Sequence, residues 1–490
     1  MKLAVVVLAV LSISACTQAW AADLRTTHLK LQTPEGRTIE ADQGVLRVPE
    51  NRAKADSRSI DIGFVRYRAR TQAPRAPLFF LQGGPGSPAV STSPGVLKFW
   101  SPFLDVCDVV LINQRGTNDS LLAWEWDGPP PMDFFVSGPA AGRHLDAMTR
   151  RAREDFRKRG VDLAGYTSTE SATDLDQLRK ALGYAKVSLL GFSYGTHLAE
   201  AYMRAYGDKL ESVALFGVEN LGETDKLPWT MDVQFARLAL MAQRDSAIAG
   251  RIPDLVALYD RVVAKLAKTP MKVPIPMPGG DTLQVPVGPY GLAFILRVDV
   301  GDATDLPVFP RLLWSIDHGD PRVLTWFVRK RAGVAMSVHG MGTVMDEASG
   351  ASAARRALIA EQAKTSRFAD VVNFPAPFVH ESLAGVDLGE DYRRPLVSPV
   401  RTLIVSGELD FNTPPFQGEE LRWGLPNATH LVVLNAGHEQ TLWQNDTAVP
   451  VLLDFLRGLD VRGRTITYPT LRFVPLEGKN PAVDHPSVPG

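Results

Sequence analysis

Gly191-Phe192-Ser193-Tyr194-Gly195 sets a serine between two glycines in the pattern G-x-S-x-G. Its flanks give the pattern meaning. Residues 187–190 are an apolar run as long as a buried strand, and Leu198, Ala201, Tyr202 and Ala205 follow at helical spacing. Strand, sharp turn and helix in that order make an elbow that presents a serine hydroxyl as a nucleophile. The small residues on either side let strand and helix come close, and the serine takes up the backbone strain.

A serine hydroxyl is a weak nucleophile at neutral pH and needs a general base, itself oriented by a carboxylate. Two late apolar runs end in suitable residues. The run 400–406 leads into Gly407-Glu408-Leu409-Asp410, and 430–434 leads into Asn435-Ala436-Gly437-His438. Asp410 is taken as the acid because Asn412-Thr413-Pro414 forms a turn behind it; Glu408 is the local rival. His438 is taken as the base. His197, His318, His339, His380 and His430 are read as structural. The oxyanion formed on attack needs two fixed donors. The N–H of Tyr194 is one, and Gly84 in the loop Gln82-Gly83-Gly84-Pro85-Gly86 is chosen as the other. Arg115 is read as a buried ion pair that holds its loop rather than as an anion clamp.

The elements needed to position these groups recur along the chain. Alternating segments at 44–49 and 59–67 read as antiparallel strands, while 78–81, 108–112, 187–190 and 213–216 read as buried ones. Between 221 and 395 the pattern changes to helices, proline-rich loops and one hairpin near 271–287. The expected organisation is therefore a targeting segment (1–22), a core in two parts (23–220 and 396–459), a mainly helical cap (221–395) and a tail (460–490) with an edge strand at 464–468 and a Pro/Gly-rich end that frays. The fold class is α/β, a mostly parallel sheet flanked by helices, with the cap inserted between the last core strands.

Totals exclude several functions. The 490 residues carry a net charge of -1, which gives no reason to expect nucleic acid as a partner. Two cysteines, Cys16 and Cys107, leave no internal disulfide once a leader is removed. No Cys/His metal cluster or phosphate-binding loop stands in the sequence, so neither metal nor cofactor is expected. Residues 1–22 combine Lys2, an apolar core and Ala19-Trp20-Ala21, the signature of an export signal. Ile13-Ser14-Ala15-Cys16 also resembles a lipobox, which would anchor the chain by lipid at Cys16. The expected location is periplasmic or secreted, with no membrane span.

Taken together, GGPG, QRGT, GFSYGT, GELDFNTP and AGHE resemble the α/β-hydrolase exopeptidases, the proline iminopeptidases and the secreted bacterial tripeptidyl aminopeptidases. GVLRVPENR and the stretch around the nucleophile agree. The resemblance implies the α/β-hydrolase fold and an aminopeptidase acting on short peptides through an acyl-enzyme. It carries the triad onto Ser193, Asp410 and His438 and the oxyanion donors onto Gly84 and Tyr194. Two residues depart from the pattern: Gln82 stands where the family has His, and Asn113 where it has Asp. The second substitution is expected to alter the loop. The family often binds the substrate ammonium through a cap carboxylate. Glu219 is the first candidate, with Glu223, Asp225 and Asp232 behind it. An esterase on the same fold is the alternative, and a binding protein without catalysis is the third reading.

Overall fold

The computed structural model describes residues 23–117, 122–276, 280–299, 305–383 and 385–478. The leader, Cys16 included, lies outside them. Among the described residues the strands are β1 (Asp23–Gln32), β2 (Thr38–Pro49), β3 (Ser59–Tyr67), β4 (Leu78–Leu81), β5 (Val109–Ile112), β6 (Ala123–Glu125), β7 (Val187–Phe192), β8 (Leu210–Phe216), β9 (Met271–Pro276), β10 (Thr282–Val287), β11 (Ser337–His339), β12 (Thr402–Gly407) and β13 (Ala428–Val433). Nine of these form one sheet in the order β1-β2-β3-β5-β4-β7-β8-β12-β13. From β5 to β13 every neighbour is parallel, while β1, β2 and β3 pair antiparallel and β3 pairs antiparallel with β5. The parallel strands β4, β5, β7 and β12 are buried along their whole length, as strands covered on both faces must be.

Chain order reverses beside β4: the chain steps one way to β5 and returns to β7 on the other side. Ligand crevices in open parallel sheets form at the carboxyl ends of strands at such a switch point. The Gln82–Gly86 loop follows β4 there, and Ser193 follows β7. The helix Tyr194–Tyr206 packs against β4, β7 and β8. Gly195 makes the approach feasible: a Cβ there would lie 1.9 Å from the Leu81 carbonyl oxygen. Thr167 caps the preceding helix Ser168–Ala181 by accepting from the Glu170 N–H at 3.2 Å.

Three features differ from the sequence expectation. Strand β1 was not expected, because DLRTTHLKLQ is polar and exposed along most of its length. It is an edge strand, and its Arg25 and Lys30 suit an edge that must not recruit another chain. The cap is also not confined to 221–395. β6 pairs with β11, the helix Gly138–Lys158 packs on the helix Ala376–Leu383, and Phe134 meets Phe294 and Phe374. Residues 123–158 therefore join the cap in space while belonging to the first core part in sequence. Finally, the start of the Pro/Gly-rich end is fastened as far as Gly478. Phe473 and Leu476 are buried, the Phe473 N–H donates to Asp245 at 3.3 Å, and Arg311 donates to the carbonyls of Pro475 and Gly478. The tail straps the cap; residues 479–490 lie outside the described set.

Gly195→Ala tests the helix–strand contact. The added methyl meets backbone, which cannot rotate away, so stability should fall by about 1–3 kcal/mol or more. A chemical-denaturation midpoint equal to that of the parent chain would contradict the packing.

Candidate active site

Ser193 occupies the turn between β7 and the helix Tyr194–Tyr206 with φ 56° and ψ −129°. A non-glycine residue at positive φ costs on the order of 1–3 kcal/mol and persists only where its surroundings fix it. Here the Ser193 N–H donates to the Phe216 carbonyl at 2.9 Å, and its own carbonyl accepts from the Thr196 N–H at 2.8 Å and the Thr196 hydroxyl at 2.7 Å. Tyr194 opens the helix, so its N–H has no acceptor within that helix.

The loop after β4 lies against the serine. A Cβ on Gly83 would stand 2.7 Å from Ser193 Cβ, and Gly84 adopts φ 118°. The Gln114 side chain braces the loop from both ends, donating to the Gln82 carbonyl at 2.6 Å and accepting from the Gly86 N–H at 3.2 Å. Asn113 was expected to disturb the loop. Instead its amide oxygen accepts from the N–H groups of Ala89 and Val90 at 2.9 and 3.1 Å, the acceptor work of a carboxylate without the charge. Arg115 is fully buried and paired to Asp174 at 2.8 Å, with further bonds to the carbonyls of Glu50 and Gly165. It anchors its loop.

His438 follows β13 and lies on the same cavity wall as Ser193. Its Nδ1 lies 2.7 Å from Asp410 Oδ2. Asp410, fully buried after β12, also accepts from the Thr413 hydroxyl and, at 3.1 Å, from the Thr413 N–H. The Thr413 hydroxyl lies 3.0 Å from His438 Nδ1 as well. Burial alone would push the His438 pKa down, but the Asp410 charge and hydrogen bond outweigh it and the net shift is upward. Asp410 is the mirror case: burial would raise it, and His438 and Thr413 hold it below the usual carboxylate range. The rival Glu408 turns away and accepts from the Asn435 N–H at 3.0 Å. His197 is buried behind the nucleophile helix, bonded through Nε2 to the Tyr392 hydroxyl at 2.7 Å and pushed down to about 4 by burial. His430 bonds to Ser406 and His318 stacks on Trp314. The side chains of His339 and His380 lie outside the described set.

The cavity holds about 460 Å³ and is roofed by the cap. Of the candidate ammonium ligands, Glu219 and Asp225 reach it. Glu219 arrives already paired, its Oε2 bonded to Lys226 Nζ. Its other oxygen lies 3.9 Å from His197, which is neutral, so that contact is no ion pair. Glu223 and Asp232 are engaged elsewhere, with Arg355 at 3.0 Å and the Arg367 N–H at 3.2 Å. Two cavity carboxyls, Asp225 and Asp346, make no side-chain hydrogen bond or ion pair among the described residues; of the two, Asp346, on the cap helix Gly340–Ser349, also lines an adjoining smaller cavity. Burial pushes its pKa well up, and the nearby Glu219 charge adds to the effect. Nothing in its sequence context marks Asp346. Thr413 and Gln114 were closer to legible, since each sits inside a quoted motif.

Sheet order, the strained serine turn and the chain order Ser, Asp, His are those of an α/β hydrolase, and the chain has that fold. Residues 76–268 match the family model described as alpha/beta hydrolase fold, and 388–464 match the one described as TAP-like protein. Over 193 residues the chain is 30% identical to a tripeptidyl aminopeptidase of Streptomyces coelicolor, covering 36% of this chain and 35% of that one. Over 209 residues it is 28% identical to the serine protease Hip1 of Mycobacterium tuberculosis, covering 39% and 38%. The matches thus span little more than a third of these relatives' length. Among solved structures, a thermophilic esterase from Thermogutta terrifontis aligns with a TM-score of 0.33 at 15% identity, over 88% of this chain and 98% of that one.

The pair geometry fixes a pH dependence. A free histidine titrates near about 6.5. If His438 must be neutral to accept a proton, kcat/KM should rise along a limb centred above that value and then level off. Asp410→Asn removes the charge that holds the pKa up and leaves burial acting alone. The limb should then move to lower pH while the rate falls by roughly 10⁴-fold. A limb that stays in place in the variant would contradict the pairing.

Proposed function

We propose that this chain is an exported serine aminopeptidase that removes residues or short fragments from the N-termini of peptides through an acyl-enzyme. Ser193 attacks the scissile carbonyl, and His438 takes its proton through Nε2. Asp410 holds the imidazole by Nδ1 and stabilises the imidazolium that forms. The N–H groups of Tyr194 and Gly84 donate to the developing oxyanion. His438 then returns the proton to the leaving amine, and water releases the acyl group by the same route in reverse. The relatives named tripeptidyl aminopeptidase and serine protease support a peptide as substrate. The leader supports export. Among the described residues no helix is long and apolar enough to cross a membrane.

Asp346 is the observation that carries the exopeptidase reading. An enzyme that cuts at a set distance from an N-terminus must recognise the ammonium there. Five carboxylate residues line the cavity (Glu219, Asp225, Asp346, Glu347 and Glu439) against two permanent cations, Lys226 and Arg297. Asp225 and Asp346 can each take a cation without surrendering a partner; Asp346, which also borders the adjoining cavity, replaces Glu219 as first candidate, with Asp225 behind it. Glu219, paired with Lys226, does not compete for the ligand. Binding an ammonium favours the charged carboxylate and so opposes the upward push that burial gives Asp346.

A charge-assisted contact of this kind is worth about 1.5–3 kcal/mol, roughly ten- to a hundredfold in kcat/KM. N-acetylation of a good peptide substrate should cost that much. Asp346→Asn should cost a similar amount on the free amine and little more on the acetylated peptide, because both changes remove one interaction. Equal rates for acetylated and free peptides would overturn the aminopeptidase reading and favour an esterase.

A further inference from the structure

Beside the catalytic cavity lies a smaller one of about 280 Å³. The two share Gly84, Pro85, Thr343, Asp346, Phe374 and Pro375, so the second is an annex of the first. Past the shared residues the wall turns apolar. Leu145 and Met148 come from the helix Gly138–Lys158, Val334 and Val338 from the approach to β11 and from β11 itself, and Val379 from the helix Ala376–Leu383. The two other hydroxyls there are occupied: Thr149 donates to the Leu145 carbonyl at 2.8 Å, and Ser337 is turned to the Gly333 carbonyl at 3.5 Å. Asp346 is the one charged residue of the lining, and it stands where the two cavities meet.

We propose that the annex receives the side chain of the substrate's N-terminal residue and selects apolar ones. This rests on the ammonium reading of Asp346 given above. The α-ammonium and the side chain leave the same Cα, so fixing the ammonium on Asp346 places the first side chain in space that borders Asp346. Two spaces do so. The peptide backbone must run through the catalytic cavity to reach Ser193, which leaves the annex to the side chain. Its volume suits that occupant, since pockets for whole small ligands run from about 300 to 1,000 Å³. A charged side chain there would lose its water against valine and leucine with nothing to pair with.

The experiment is a set of peptide anilides identical except for an N-terminal Gly, Leu, Phe or Asp. Leu and Phe should exceed Gly in kcat/KM by roughly tenfold or more, the scale set by filling an apolar pocket, and Asp should be poorest. Ser337→Phe, which fills the annex, and Val334→Asp, which charges it, should each bring the Leu-to-Gly ratio towards one. The ratio is taken within one preparation, so a partly unfolded variant does not distort it. A flat wild-type series, or a ratio that survives both substitutions, would overturn the proposal. N-acetylated versions of the same peptides separate the two ideas. Loss on acetylation with a flat series keeps the aminopeptidase reading and overturns the annex. Indifference to acetylation with a ratio that collapses in Ser337→Phe overturns that reading and keeps the annex.

Discussion

The contact on which the site depends is between Gly195 and the end of β4. With 1.9 Å between the Leu81 carbonyl oxygen and the place a methyl would occupy, no other residue lets the nucleophile helix sit so close. That closeness has three consequences. Ser193 is driven to positive φ, because the chain must reverse from strand to helix within one residue. The helix opens at Tyr194, whose N–H has no acceptor within that helix. The loop after β4 is carried against the serine, with Gly83 beside it. One steric condition therefore sets Ser193 and the loop that carries Gly84 together, and a shift of the helix would misplace both.

The cap does more than cover the crevice. Its helix Gly340–Ser349 lies directly on the loop after β4: a Cβ on Gly342 would be 2.8 Å from the Pro85 carbonyl, and one on Gly86 would be 2.9 Å from the end of Met341. On the other side, Gln234 of the cap helix Pro228–Arg244 donates to the carbonyls of Glu408 and Asp410 at 3.1 and 3.2 Å. The cap thus grips the oxyanion loop and the acid's loop, both in the core. The helix that carries Met341 and Gly342 also carries Asp346, so the proposed ammonium site and the grip on the loop after β4 share one element. The tail adds to this by fastening Asp245 and Arg311 of the cap from outside.

Much of this was legible in the sequence, and the limits have physical causes. Ser193, Asp410 and His438 each follow a short apolar run in motifs whose residue types are dictated by local geometry, so local reading could reach them. Strand β1 was not legible, because an exposed edge has no buried face to impose alternation. The joining of residues 123–158 to the cap was not legible either, since β6 is three residues long and its partner lies more than 200 positions away. Glu219 was favoured because it ends the strand next to the nucleophile, a correct inference about position. What sequence could not show is that Lys226, seven residues on, already neutralises it. Asp346 lacked any signal: it is one carboxylate on an ordinary helix, and only the fold leaves it without a partner.

The central claim is that acyl transfer at Ser193 is directed by a free N-terminus held in the cap. The most direct measurement is the time course of products, read by mass spectrometry, from a long unblocked peptide. The account predicts short fragments from the N-terminal end only, with the remainder shortened stepwise from that same end. Cleavage in the interior at early times, or an inert peptide alongside rapid hydrolysis of simple aryl esters, would contradict it.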